Sequence, residues 1–109
     1  MAYDEHLAEE LRDALRGRGG ITEKRMFGGL CWLMHGNMLC VLGREGRYMF
    51  RVGEAQEAAA LERPGAEEMV MSKRRMNGFV WVDADAALDE GLGSWLDLAA
   101  AYVGGLPPK

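Results

Sequence analysis

A chain of 109 residues with 49% hydrophobic and 28% charged residues has the size and balance of one ordinary globular domain spanning residues 1–109. No run approaches the roughly 18 apolar residues of a membrane span, and a net charge of -4 argues against bulk attraction to nucleic acid or anionic membranes. The opening Met1-Ala2-Tyr3-Asp4-Glu5 lacks the basic and apolar regions of a signal peptide, so the expected location is cytoplasmic, with Cys31 and Cys40 reduced.

Tyr3, Leu7, Leu11, Ala14 and Leu15 recur at helical spacing, with charged residues around the other face. Gly17, Gly19 and Gly20 end this amphipathic helix. Lys24-Arg25-Met26-Phe27-Gly28-Gly29 then leads into the apolar run from Leu30 to Met34, and the two glycines suit entry into a buried strand, with Phe27 packed and Lys24-Arg25 outside. Gly36-Asn37 reads as a two-residue hairpin turn, so strands are expected near 29–35 and 38–43. Gly43-Arg44-Glu45-Gly46 is a second turn into the alternating segment Arg47 to Val52.

Period-2 alternation places Leu30, Trp32, Met34, Leu39, Val41, Tyr48, Phe50 and Val52 on one face, the expected core. The opposite face gathers Cys31, Leu33, Met38, Cys40, Leu42 and Met49, with Arg47 and Arg51 at its edge. That is too apolar for a freely solvated sheet surface. In this register the two cysteines share a face diagonally, about 7 to 8 Å apart and beyond comfortable disulfide reach.

Glu54 to Arg63 reads as a helix stopped by Pro64-Gly65. Glu68–Met71 and Phe79–Val82 read as two strands joined by the basic loop from Ser72 to Gly78. A short helical piece around Leu88 precedes a last helix, opened by the capping-box spacing of Ser94-Trp95-Leu96-Asp97. The order α-β-β-β-α-β-β-α implies an α+β fold in two layers, a mainly antiparallel five-stranded sheet with helices packed on it.

The residues that carry chemistry are sparse. Cys31, Cys40, His6 and His35 match no strong zinc spacing, and no serine stands in a nucleophile elbow, so no catalytic, metal or cofactor residues are assigned. Two basic clusters remain, Lys24-Arg25 and Lys73-Arg74-Arg75. They echo each other, since Arg25-Met26-Phe27-Gly28 and Arg75-Met76-Asn77-Gly78 each lead into a Trp-containing strand. If both lie at one end of the sheet, they form with Arg51 a positive patch suited to a phosphate, an acidic partner or nucleic acid.

Arg25-Met26-Phe27-Gly28-Gly29, the hairpin around Gly36-Asn37-Met38, Tyr48-Met49-Phe50-Arg51-Val52 and Arg75-Met76-Asn77-Gly78-Phe79-Val80-Trp81-Val82 together resemble the N-terminal domain of the TfoX/Sxy family. The resemblance covers nearly the whole chain and implies a two-layer α+β fold. It also implies a role in regulation, because the best-known members are regulators of natural competence that act with a cyclic-AMP receptor transcription factor. Those regulators carry a second, C-terminal domain, so this chain resembles the stand-alone members, and the resemblance transfers no catalytic or ligand residues.

The expected function is therefore a non-enzymatic regulatory or interaction domain that binds a protein partner, or a second copy of itself, through the apolar face of Leu33, Met38, Leu42 and Met49, the basic loops, or both. Nucleic-acid binding through Lys24, Arg25, Arg51, Lys73, Arg74 and Arg75 is the less favoured alternative, and a small-ligand domain is the third. No cofactor and no membrane partner are expected.

Overall fold

Leu7, Leu11 and Leu15 form the buried stripe of helix α1 (Glu5–Leu15) in the computed structural model, which describes residues 3–26, 28–43 and 45–109, and of Met71 only the backbone. Asp4 caps this helix, its carboxylate accepting from the backbone N–H groups of His6 and Leu7 at 2.8 and 3.4 Å. There follow β1 (Ile21–Met26), β2 (Gly29–Met34), β3 (Asn37–Leu42), β4 (Arg47–Arg51), α2 (Glu54–Leu61), β5 (Ala66–Met71), β6 (Arg74–Asp83), α3 (Ala84–Glu90) and α4 (Leu92–Val103). The strands make one antiparallel sheet in the order β1-β2-β3-β4-β6-β5. Among the described residues no helix is long and apolar enough to cross a membrane.

The fold is α+β as expected, but the sheet has six strands instead of five. The additional one, β1, holds Glu23, Lys24 and Arg25 in succession along a sheet edge, so it shows none of the apolar alternation by which a strand is read. Those charges also suit an edge, where they discourage pairing with another chain.

All four helices of the described residues lie on one face. Their buried residues, among them Leu11, Ala60, Ala87, Trp95 and Leu96, join Leu30, Trp32, Leu39, Tyr48, Phe50 and Val80 from the sheet in one core. Trp95 stacks on Phe50 with ring centroids 5.1 Å apart and planes 11° from parallel. Tyr48 donates its hydroxyl proton to the Leu7 carbonyl at 2.8 Å, fastening α1 to β4.

On the near edge, Arg12 grips Glu23 through two hydrogen bonds of 2.8 and 2.9 Å, and Glu23 also accepts from the Trp32 indole at 3.0 Å. The Arg12 contact holds the Glu23 carboxyl below its ordinary range, against the opposing effect of burial.

The hairpin register departs from the expected one. The β2–β3 turn is His35-Gly36, with φ of 53° and 84°, and Met34 pairs with Asn37. Two positive φ values define the tight turn whose twist matches that of the flanking strands. A bulge follows, because Leu33 pairs with Met38 but Trp32 pairs with Cys40, leaving Leu39 as the extra residue.

The bulge lets Leu39 and Cys40 both face the helices, so Leu42 joins the covered core and Val41 turns to the opposite face. The expected positions of Val41, Cys40 and Leu42 are thus exchanged, since beyond a bulge every side chain changes side. The two cysteines lie on opposite faces, both free and buried.

Two further expectations change. Ser72-Lys73 is another tight turn with positive φ at both residues, and Arg74 and Arg75 belong to β6 instead of a loop. The capping box does not form. α4 begins at Leu92, directly after Gly91 at φ 103°, while Ser94 accepts from Arg63 at 3.1 Å and Asp97 pairs with Arg18 at 2.6 Å. The expected packing of Phe27 lies outside the described residues.

Burial raises both thiols above their ordinary value of about 9, Lys24 partly offsetting this at Cys31 and Cys31 adding to it at Cys40. Burial, reinforced by Glu10, Cys40 and Asp4, also raises the Tyr48 phenol above its ordinary 10. The unfolded chain therefore loses these protons at lower pH than the folded one. Their contribution to stability is complete below about pH 9 and is lost as pH rises through the folded values. Thermal melts from about pH 7 to about pH 11 are expected to show a Tm that declines only above about 9; a Tm level to the upper limit would contradict the burial of these groups.

Candidate interaction surface

The sheet face opposite the helices carries a second apolar cluster, built from strand residues alone among those described. Cys31, Val41, Met49 and Met69 form its buried floor, and Met26, Leu33, Met38, Met76, Phe79 and Trp81 pack around them. These side chains meet there because alternation on each strand sends every second residue to this face, while the bulge in β3 delivers Val41 to the middle of it. Sheet curvature does the rest, since Met26 on β1 and Met69 on β5, at opposite edges, line one cavity of about 360 Å³.

Five methionines, Met26, Met38, Met49, Met69 and Met76, line that cavity together with Phe79 and Trp81. Glu45 is the one ionisable side chain among the described lining residues. The volume lies within the range of pockets that hold a drug-sized ligand or the anchor side chains of a partner. Thioether side chains are polarizable and flexible, so such walls adapt to varied apolar shapes.

Of the expected self-association residues, Leu33, Met38 and Met49 belong to this open face. Leu42 does not; it is fully buried beneath the helices.

The expected basic residues are dispersed. Lys24 pairs across the strands with Cys31 and so faces the open side, whereas Arg25 turns to the helical side, 6.0 Å from the Tyr3 ring. β1 and β6 stand four strand spacings apart, about 19 Å in a flat sheet. Arg25 lies near the β1–β2 connection, in register with Leu30, while Lys73 occupies the turn at the opposite end of the sheet. The two clusters therefore do not merge into one patch.

Arg75 is committed to structure, bonding Glu57 and lying 3.3 Å from Glu68. Glu57, itself buried, accepts the Gly78 N–H at 2.7 Å, and the Gly78 carbonyl accepts from both Val52 and Gly53 at 2.8 and 3.0 Å. Gly78 adopts φ 88° and a Cβ there would sit 3.3 Å from the Gly53 backbone, so this glycine permits β6 to pass close to the start of α2. The Arg-Met-x-Gly echo thus has unlike uses, a turn at Gly28 and a close crossing at Gly78.

Arg51 lies at the end of β4, its guanidinium 5.6 Å from both the Phe79 and Tyr102 rings. Arg47 covers the Trp81 ring at 4.6 Å and pairs with Glu45 at 2.7 Å and Glu67 at 3.8 Å. Sequence reading passed over Val41, Met69, Met76 and Trp81 as contributors to this face. Eight methionines in the chain were the signal available for it.

No curated protein and no solved structure matches the chain. The family model of the TfoX N-terminal domain matches residues 13–102, which take in the whole sheet and all but the last residue of α4. The chain belongs to the TfoX N-terminal domain family.

Proposed function

We propose that this TfoX N-terminal domain is a non-enzymatic interaction module that regulates through protein contacts, in transcription or competence control, and that its working surface is the open sheet face. The observation that carries the reading is the apolar cluster built from strands alone, with no helix of the described chain covering it. A half-buried apolar face of this kind marks an interface, because the part left in water costs free energy that a partner recovers. Among the described residues the cavity's walls offer mainly apolar contact, with Glu45 the one carboxylate. Dispersal of the basic residues removes the main support for a nucleic-acid surface, which needs clustered cations.

The reading is tested with a photo-crosslinking residue placed at Met38, half-buried on the open face, and in a parallel protein at Ala101, exposed on α4. Irradiation in cells is expected to give covalent protein adducts from position 38 and few from position 101. Light scattering on the purified chain tells a second copy from another protein. Absence of adducts at position 38, or equal yields at the two positions, would overturn the proposal.

A further inference from the structure

Resting on that reading, we infer that the occupant of the open face is an acidic amphipathic helix of a protein partner. Three observations select it. First, the cavity draws its lining from all six strands, so it runs across the sheet instead of forming one deep hole. Six strands span roughly 24 Å if flat and less when curved, the length of about three to four helical turns.

Second, the face is an apolar floor whose strands have already paired their backbone groups with one another. An extended peptide laid on it would leave its own N–H and C=O groups unpaired, whereas a helix satisfies them internally. Thioether walls adapt to the anchors that such a helix presents at i, i+3, i+4 and i+7.

Third, the charge around this floor is positive in a chain whose net charge is -4. Alternation sets Lys24, Arg47, Arg51 and Arg74 on this side, against Glu67, Asp83, which pairs with Arg47 across the strands, and the rim residue Glu45. Arg47 already engages Glu45 and Glu67, and Asp83 caps α3 by accepting from the Ala86 N–H at 3.5 Å. Among the described residues Lys24, Arg51 and Arg74 have no carboxylate within ion-pair distance. Unpaired cations around an apolar floor complement a helix whose apolar stripe is flanked by Asp and Glu.

Two synthetic helical peptides with the same Leu/Phe stripe, one with Glu and one with Lys on the polar face, are titrated into the full chain by calorimetry and tryptophan fluorescence. The Glu peptide is expected to bind about tenfold tighter or more at low salt, a gap that narrows as salt screens the rim. Lys24→Glu with Arg74→Glu, both at exposed positions, is expected to reverse the order, and Met38→Glu to weaken both peptides. Equal affinities, or preference for the Lys peptide, overturn the acidic partner while leaving an apolar protein interface intact. Binding of neither peptide, alongside adducts at position 38, overturns the helix and leaves the interaction module standing. Absence of those adducts overturns both.

Discussion

Gly29→Ala is expected to destabilise the domain by about 3 kcal/mol, the upper end of the usual cost of overpacking. Gly29 is buried at the start of β2, and a Cβ there would collide with the backbone carbonyl oxygen of Leu42 on β3, with the Leu42 carbonyl carbon at 3.2 Å and the Gly43 Cα at 3.4 Å. These are main-chain atoms held in the sheet, so no rotamer change relieves the contact. The strands themselves must separate, at the place where Leu30 pairs with Leu42.

Gly28→Ala, one residue earlier, is expected to cost less, about 1 to 2 kcal/mol, because Gly28 is exposed and the penalty is that of a side chain at φ 77°. Urea unfolding of the two variants checks the order. A Gly29→Ala protein within 1 kcal/mol of the parent would show that β2 and β3 can yield, contrary to the close approach.

Trp95→Ala is expected to cost about 3 to 5 kcal/mol, the range for deleting a large buried aromatic. Trp95 is fully buried, stacked on Phe50 on one side and covered by the Arg63 guanidinium at 4.7 Å from its ring centroid. Its removal opens a cavity between α4 and the sheet and strips contacts from both neighbours.

Trp95→Phe is expected to be much milder, about 1 to 2 kcal/mol. The indole N–H has no hydrogen-bond partner among the described residues, so phenylalanine keeps a stacking ring and removes a buried donor that is already unsatisfied. Equal losses for the two variants in urea unfolding would mean that the indole nitrogen does find a partner in solution.

The opening signature, Arg25-Met26-Phe27-Gly28-Gly29, acquires separate physical parts. Arg25 and Met26 lie on opposite faces of an edge strand, Gly28 supplies a positive φ, and Gly29 permits two backbones to approach. Met26 is the part that reaches the candidate surface.

Much of the architecture was legible locally. The α1 stripe of leucines, the glycine-bounded strands and the Pro64-Gly65 stop each signal themselves through spacing or a special residue within a few positions. β1 did not, because its strand state depends on pairing with β2, and its central residues, Thr22 to Arg25, are polar on both sides. The bulge at Leu39 is equally silent in a run of apolar residues where any register looks plausible. One unpaired residue there sends Leu42 into the core and Val41 out, which rewrote the candidate surface.

The chain by itself determined the α+β class, the placement of most helices and strands, and the family to which it belongs, because these follow from short-range periodicity, turn chemistry and the order of its motifs. Only the tertiary structure decided that all four helices cover one face, that five methionines from five strands meet on the other, and that the basic clusters stay apart. Those outcomes depend on strand order, register and sheet curvature, which arise from pairings between residues far apart in the chain and leave no local trace in it.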